Sequence, residues 1–222
     1  MKKVAIFDFD GTLFTEQTIP FLFKKWEELG YPKDKKTKVK GKILFKYFLN
    51  KIGLLNKQDF RDKATKDFLY IFENMNDNQI NAFFENSCAN IEQYFNPKIV
   101  YEINAAKSAG FEIVMISGCF QIMLEYALKS FEFNKIIGSK ILFSNNKIDY
   151  KKDLVIISGE EKKRAFLNEF GLDTYDFEKS CAYGDSLYDR HIMELTGNPI
   201  AVTPDEDLMI LAEKMGWKII TT

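Results

Sequence analysis

The stretch Val4-Ala5-Ile6-Phe7-Asp8-Phe9-Asp10-Gly11-Thr12-Leu13 decides how the rest of the chain is read. A β-prone apolar run ends in two aspartates separated by one phenylalanine, and a Gly-Thr turn follows at once. Residues 3 to 9 are apolar on both faces until the acids, which predicts a strand buried on both sides, as in a parallel sheet. In an extended strand positions 8 and 10 project to the same side. Two carboxylates held that close need a cation, a shared proton or solvent. The plain alternative is an Asp-Gly hairpin turn on an edge strand with both acids solvated. The residues farther along the chain decide between the two.

From Asn96 onward, helical and strand patterns alternate. Asn96-Pro97 is a cap followed by proline at the first helical position, and that helix ends at Gly110. Strand Phe111–Ile116 leads into Ser117-Gly118, where a helix from about Phe120 to Lys129 is expected to open. Residues 136 to 150 read as a short strand and a hairpin around Asn145-Asn146. A helix begins near Gly159-Glu160-Glu161-Lys162. Strand Ser180–Tyr183 ends at Gly184-Asp185, with a helix to Leu195. Strand Ile200–Val202, helix Asp205–Met215 and a last strand from Trp217 to Ile220 complete the pattern. This alternation predicts an α/β protein with a doubly wound, Rossmann-like parallel sheet covered on both faces. Ligands bind at the carboxyl ends of such strands, where Asp8, Asp10, Ser117 and Asp185 are all expected.

Between the first two strands the signals are helical. Pro20–Trp26 starts an amphipathic helix that stops at Leu29-Gly30. Ile43-Leu44, Tyr47-Phe48 and Ile52 recur at helical spacing. Asn56 with Asp59 reads as a capped start for a helix carrying Phe60, Ala64, Phe68 and Ile71, and Asp77 as the cap of the next. The expected division is an α/β core over residues 1–15 and 88–222, with an all-helical insert over 16–87, the size of a small bundle. The phenylalanine stripes of the insert read as core. The run Lys33-Asp34-Lys35-Lys36-Thr37-Lys38-Val39-Lys40-Gly41-Lys42 reads as a solvated loop, with docking of an anionic substrate or acidic lipid as the alternative.

The chain has 222 residues, 46% hydrophobic, enough for a full core. A net charge of -1 gives no general attraction to nucleic acid or membrane. Four apolar residues precede Asp8, too few for a signal-peptide core, and no run approaches a membrane span. Cys88, Cys119 and Cys181 are far apart and lack zinc-ligand spacing, which suits a reduced, cytoplasmic setting.

Four features distant in sequence therefore share one sheet edge. Asp8 and Asp10 end the first strand. Ser117 offers a hydroxyl and nearby N–H groups to an anion. Lys162, or Lys163 on a rotated helix, sits in a first helical turn. Asp185 and Asp189 flank Ser186-Leu187-Tyr188. Several carboxylates converging with too little local cation predict a hard divalent metal with oxygen ligands, Mg2+. Lysine, serine hydroxyl and metal together make a phosphate cradle.

This array resembles the haloacid dehalogenase (HAD) superfamily of phosphohydrolases. Asp8-Phe9-Asp10-Gly11-Thr12 resembles its first motif, Ile116-Ser117-Gly118 its second, Lys162 its third and Gly184-Asp185-Ser186-Leu187-Tyr188-Asp189 its fourth. The resemblance implies that the insert over 16–87 is a cap that sets substrate specificity; its position, and the stretch from Gly159 through Asp205, look most like the phosphoserine-phosphatase-like subclass IB. The resemblance implies that Asp8 is a nucleophile forming an aspartyl-phosphate. Asp10 would be the general acid and base, its backbone carbonyl touching the metal. Ser117, Gly118 and Lys162 would bind phosphate. Asp8, Asp10 and Asp185 would hold Mg2+, with Asp189 binding it directly, through water or through the groups around its ligands. His191 and Cys119 receive no catalytic role. Gln17 stands where phosphoserine phosphatases have a substrate-reading glutamate. Phosphoserine is therefore one candidate among small phosphorylated metabolites, with lipid-phosphate head groups and phosphoryl transfer as alternatives. A phospho-acceptor signalling domain is the reading from another class.

Overall fold

The computed structural model describes residues 1–221 and places a six-stranded parallel sheet at the centre. Its strands are β1 (Lys3–Phe7), β2 (Phe111–Phe120), β3 (Lys135–Ser139), β6 (Cys181–Gly184), β7 (Asn198–Val202) and β8 (Lys218–Ile220), in the order β3-β2-β1-β6-β7-β8. Strands β4 (Phe143–Ser144) and β5 (Lys147–Ile148) form a separate antiparallel hairpin turning at Asn145-Asn146. The order runs outward from β1 in both directions, so the sheet is doubly wound and its switch point lies between β1 and β6.

The continuous apolar character of β1 and β2 has its explanation in the layers. Val4 and Ile6, with Val114 and Ile116, face one hydrophobic cluster. Ala5 and Phe7, with Ile113 and Met115, face the other. The period of two sends alternate residues to opposite faces, and both faces are dry. Helices α5 (Pro97–Ser108) and α6 (Gln121–Ala127) cover one face through Ile99, Ile103, Met123 and Leu124. Helices α7 (Glu160–Phe170), α8 (Arg190–Met193) and α9 (Glu206–Met215) cover the other through Phe166, Ile192, Met193, Leu208 and Ala212. All three cysteines are buried and free.

The helical insert comprises α1 (Thr18–Glu28), α2 (Lys33–Lys51), α3 (Lys57–Phe68) and α4 (Asp77–Ser87). The chain leaves and re-enters the sheet region side by side: Asn96 donates to the Leu13 carbonyl at 2.8 Å and Thr15 to that of Tyr94 at 2.9 Å. Trp26, Phe68, Phe72, Phe83 and Phe84 are fully buried. Phe68 and Phe84 each contact Phe120 of β2, with ring centroids 6.0 and 5.8 Å apart. Insert and core therefore share one apolar cluster at this point.

Several local expectations change. The lysine run is the first half of helix α2, because its lysines are good helix formers with only Gly41 to interrupt them. The apolar residues that follow are only partly core: Leu44, Phe45, Phe48 and Ile52 are exposed. Asn76, rather than Asp77, caps α4; its side chain accepts from Gln79 N while the Gln79 side chain accepts from Asn76 N. Strand β2 runs past Ser117 to Phe120, so Ser117 does not open a helix. Its pairing with β3 skips from Ile116 to Phe120, and Ser117-Gly118-Cys119 bulge out of the ladder.

Candidate active site

Carboxylates, one buried ammonium and one guanidinium meet beside the β1/β6 switch point. Strand β1 ends at Phe7, and Asp8 N donates to the Tyr183 carbonyl of β6 at 3.0 Å. The next residues turn sharply: Thr12 N and Phe14 N both donate to the Phe9 carbonyl, and Gly11 N to that of Phe14. Gly11 has φ +75°, and a Cβ there would lie 2.1 Å from Asp185 Oδ2, so the turn accepts only glycine.

Because the strand stops short of the acids, alternation along a strand does not align them. Asp8 Oδ1 accepts from Lys162 Nζ at 2.6 Å. The Asp10 carboxylate turns to the start of α1, accepting from Thr18 Oγ1 at 2.6 Å and Thr18 N at 3.2 Å. Lys162 reaches the site from the first turn of α7, is buried, and also donates to Asp189 Oδ1 at 2.5 Å. Of the two adjacent lysines, Lys162 is the one pointing in.

The fourth segment folds tightly. Asp189 Oδ2 accepts from Ser186 N and Ser186 Oγ, both at 3.2 Å, across a 3-10 turn over Leu187–Asp189. A Cβ on Gly184 would lie 2.5 Å from Asp189 Cβ. Both Asp189 oxygens are thus engaged, whereas Asp185 Oδ1 is buried with no hydrogen-bond partner. Carboxylate oxygens of Asp8, Asp185 and Asp189 lie within 4.8 Å of one another. An all-oxygen set containing an orphaned buried carboxylate atom fits a hard divalent cation.

Electrostatics follow from burial. Loss of solvent pushes the Asp8 carboxyl up to about 6, against the downward pull of Lys162, with Asp189 adding to the rise. Burial also raises Asp10, against its Thr18 hydrogen bonds, and raises Asp185 well above the carboxylate range, helped by Asp189 and Asp8. For Lys162, burial works against the charge, but Asp189 and Asp8 outweigh it and hold the ammonium protonated. Burial pushes the Cys119 thiol well above its ordinary range, so it lines the site as a thiol.

A cavity of about 300 Å³ opens over these groups. Asp8, Asp10, Ser117, Gly118, Lys162 and Asp189 line its floor. Its roof is α3, which presents Gln58, Arg61, Asp62 and Thr65. The sequence reading followed the apolar face of α3 and missed this polar one. Arg61 is the main omission. Its guanidinium lies over the Tyr188 ring at 5.1 Å and has no hydrogen-bond or ion-pair partner among the described residues. Burial pulls its pKa down, but Asp185, Asp10, Asp189 and Asp8 raise it further. A signal was present: Arg61 is one of three arginines in a chain that otherwise uses lysine. Thr18, which orients Asp10, carried no sequence signal.

A family model described as haloacid dehalogenase-like hydrolase matches residues 5–194. The chain is 24% identical over 229 residues to a histidinol-phosphatase from Neisseria meningitidis serogroup C (strain 8013), covering 99% of each. Among solved structures, a protein with unknown function from Bordetella pertussis Tohama I superposes with a TM-score of 0.81 at 16% identity, covering 99% of this chain and 98% of that one. A phospho-aspartyl intermediate analogue of phosphoserine phosphatase superposes at 0.63 with 17% identity, covering 99% and 93%.

Proposed function

Since the chain belongs to the haloacid dehalogenase-like hydrolases, we propose that it is a Mg2+-dependent phosphatase hydrolysing a small phosphate monoester through an aspartyl-phosphate on Asp8. The observation that carries this reading is the buried Lys162 ammonium bridging Asp8 and Asp189 beside the unpartnered Asp185. Residues 16–87 are assigned as the cap, whose α3 closes the cavity.

The phosphate would lie against Ser117, Gly118 and Lys162. Arg61 meets it from the cap side, where charge neutralisation matters most in phosphoryl transfer. An Asp8 oxygen bonds to phosphorus as the bond to the leaving alcohol breaks, and Asp10 gives that alcohol its proton. Burial favours the protonated Asp10 needed here, and Thr18 fixes its direction. Asp10 then takes a proton from the water that attacks phosphorus, releasing phosphate and restoring Asp8. Asp8, Asp185 and the Asp10 carbonyl would hold Mg2+, with Asp189 tied to Lys162 and Ser186 behind them. When bound, the cation screens the repulsion between carboxylate and phosphate.

Release of inorganic phosphate from 4-nitrophenyl phosphate with Mg2+, lost on chelation, is the expected result; no release would overturn the reading. Histidinol phosphate and phosphoserine, named by the similar proteins, are the first metabolites to assay. Gln17 lines the cavity as a neutral side chain. Arg61→Ala is expected to raise KM by about tenfold or more, with a smaller change in kcat if the contact is made in the ground state. An unchanged KM would remove Arg61 from phosphate binding.

The raised carboxyls also predict how metal and pH are linked. An acid whose folded pKa is about 6 and whose ordinary value is 3.8 binds more protons folded than unfolded between those values. Metal-free stability therefore falls as pH rises through that window. Mg2+ must displace those protons, so its thermal stabilisation is expected to be larger at about pH 7.5 than at about pH 5. Equal shifts at both pH values would mean that the cation does not sit on Asp8.

A further inference from the structure

Helix α2 buries little of itself. Among its residues only Val39 is buried, and Ile43 packs beside it against the shared apolar cluster. Ion pairs fasten the same side to the insert: Lys36 to Glu27 at 2.7 Å and Lys46 to Asp67 at 2.5 Å. The opposite side is apolar. Leu44, Phe48 and Ile52 recur every fourth residue, and Phe45 lies three before Phe48, which puts all four on one stripe. That stripe points to solvent: Phe45 is 62% exposed and Phe48 57%. Leu54 extends it past the helix end at 73%. A contiguous apolar face of this kind marks a contact surface.

The charges beside the stripe say what covers it. At about 100° per residue, Lys38 and Lys42 fall along one edge and Lys40 and Lys51 along the other. All four are exposed. The helix holds eight lysines and one aspartate, Asp34 in its first turn, in a chain whose net charge is -1. A second copy of the chain is a poor occupant, because two such faces meeting about a two-fold axis would set lysine rows against lysine rows. An anionic bilayer surface suits both features. Lysine stems lie along apolar surface while their ammonium groups reach lipid phosphates, and aromatic and aliphatic side chains enter the boundary between head groups and acyl chains. Among the described residues no helix is long and apolar enough to cross a membrane, so this one would lie on the surface.

We propose that the outer face of α2 docks the protein on anionic lipid surfaces, with Phe45 and Phe48 entering the bilayer boundary and Lys38, Lys40, Lys42 and Lys51 meeting the head groups. Ile43, on the inner side of the same helix, lines the cavity of the candidate active site. The docking face therefore backs onto a wall of that cavity. The inference does not depend on the phosphatase reading: lipid is here a surface, and none enters the cavity.

The test is co-flotation of the full chain with vesicles of phosphatidylcholine alone, or of phosphatidylcholine and phosphatidylglycerol in equal parts. The wild type is expected to bind the anionic vesicles about tenfold or more tightly. Phe45→Ala combined with Phe48→Ala should weaken that binding by about tenfold or more, and exposed positions such as these tolerate the change without loss of the fold. Lys40→Glu combined with Lys42→Glu, one from each edge, should remove the preference for anionic lipid. Lys107→Glu combined with Lys214→Glu makes the same change of net charge at exposed positions on other helices and should bind as the wild type does. Four results would overturn the inference. The wild type could float with neither vesicle, or with both equally. The double phenylalanine variant could float as well as the wild type. The control lysine pair could lose as much binding as the α2 pair, which would leave net charge as the whole cause. Finally, the wild type could be a dimer without lipid that the phenylalanine changes split into monomers, which would give the stripe to a second copy.

Discussion

Asp8→Asn is expected to abolish phosphate release, by a factor on the order of 10⁴ or more, and at the same time to make the metal-free protein harder to melt. The first effect follows from removing the oxygen proposed to attack: an amide cannot form the acyl phosphate, and the remaining site would only bind. The second follows from the cost of the native charge. Asp8 titrates at about 6 instead of 3.8, so keeping it ionised in the fold at neutral pH costs about 3 kcal/mol. Asparagine has no charge to bury, and its oxygen can still accept from Lys162. A gain of roughly 1–3 kcal/mol at neutral pH is therefore expected, shrinking as pH falls toward 4 and the native carboxyl protonates. Activity at the wild-type level in Asp8→Asn would exclude it as nucleophile. A lower melting temperature would show that Asp8 is held mainly as a partner for Lys162.

Lys162→Ala is expected to move stability the other way. Its ammonium is the only group within hydrogen-bond reach of both Asp8 and Asp189 among the described residues. Removing one partner of a buried ionic cluster leaves the others uncompensated, at about 3–5 kcal/mol. Part of that loss should return with Mg2+, which supplies charge to the same carboxylates, or at lower pH, where they protonate. Phosphate release should fall on the order of 10³-fold, because in the proposed reaction the lost cation would also face the phosphate. Lys163→Ala, one residue along and turned away, should stay within about 0.5 kcal/mol of wild type. Chemical denaturation of both variants, with and without Mg2+, reads the difference. Equal effects at 162 and 163 would mean that the helix matters and the buried ammonium does not.

Much of the fold was legible because burial on two faces leaves a plain mark. The runs Val4–Phe7 and Ile113–Ile116 carry no polar alternation, and both became central strands. Asn56 and Asn96 also acted as caps, since capping needs only a side chain and the next turn of backbone. Less legible were features set by distant packing. The bulge at Ser117–Cys119 arises where β2 passes β3, around Gly138, whose Cβ would lie 2.9 Å from the Cys119 carbonyl. The exposure of Phe45 and Phe48 on α2 depends on which face the rest of the insert covers, a choice periodicity does not contain.

For the site the division is similar. The sequence by itself determined the types of group and their order: Asp8 and Asp10 after the first strand, Ser117 after the second, Lys162 at a helix start, and Asp185 and Asp189 after the fourth strand of the core sheet. Strand ends in a parallel sheet collect at one edge whatever the details. Tertiary structure alone decided which atoms meet: Lys162 on Asp8 and Asp189, Asp10 on Thr18, and Asp185 Oδ1 left without a partner. It also brought Arg61, Asp62 and Gln58 over the cavity from a helix that is a separate excursion of the chain. A local sequence window reports periodicity and caps. The direction in which a helix turns its polar face is fixed only by what its apolar face must cover, and here Ala64 and Phe68 had to join the core.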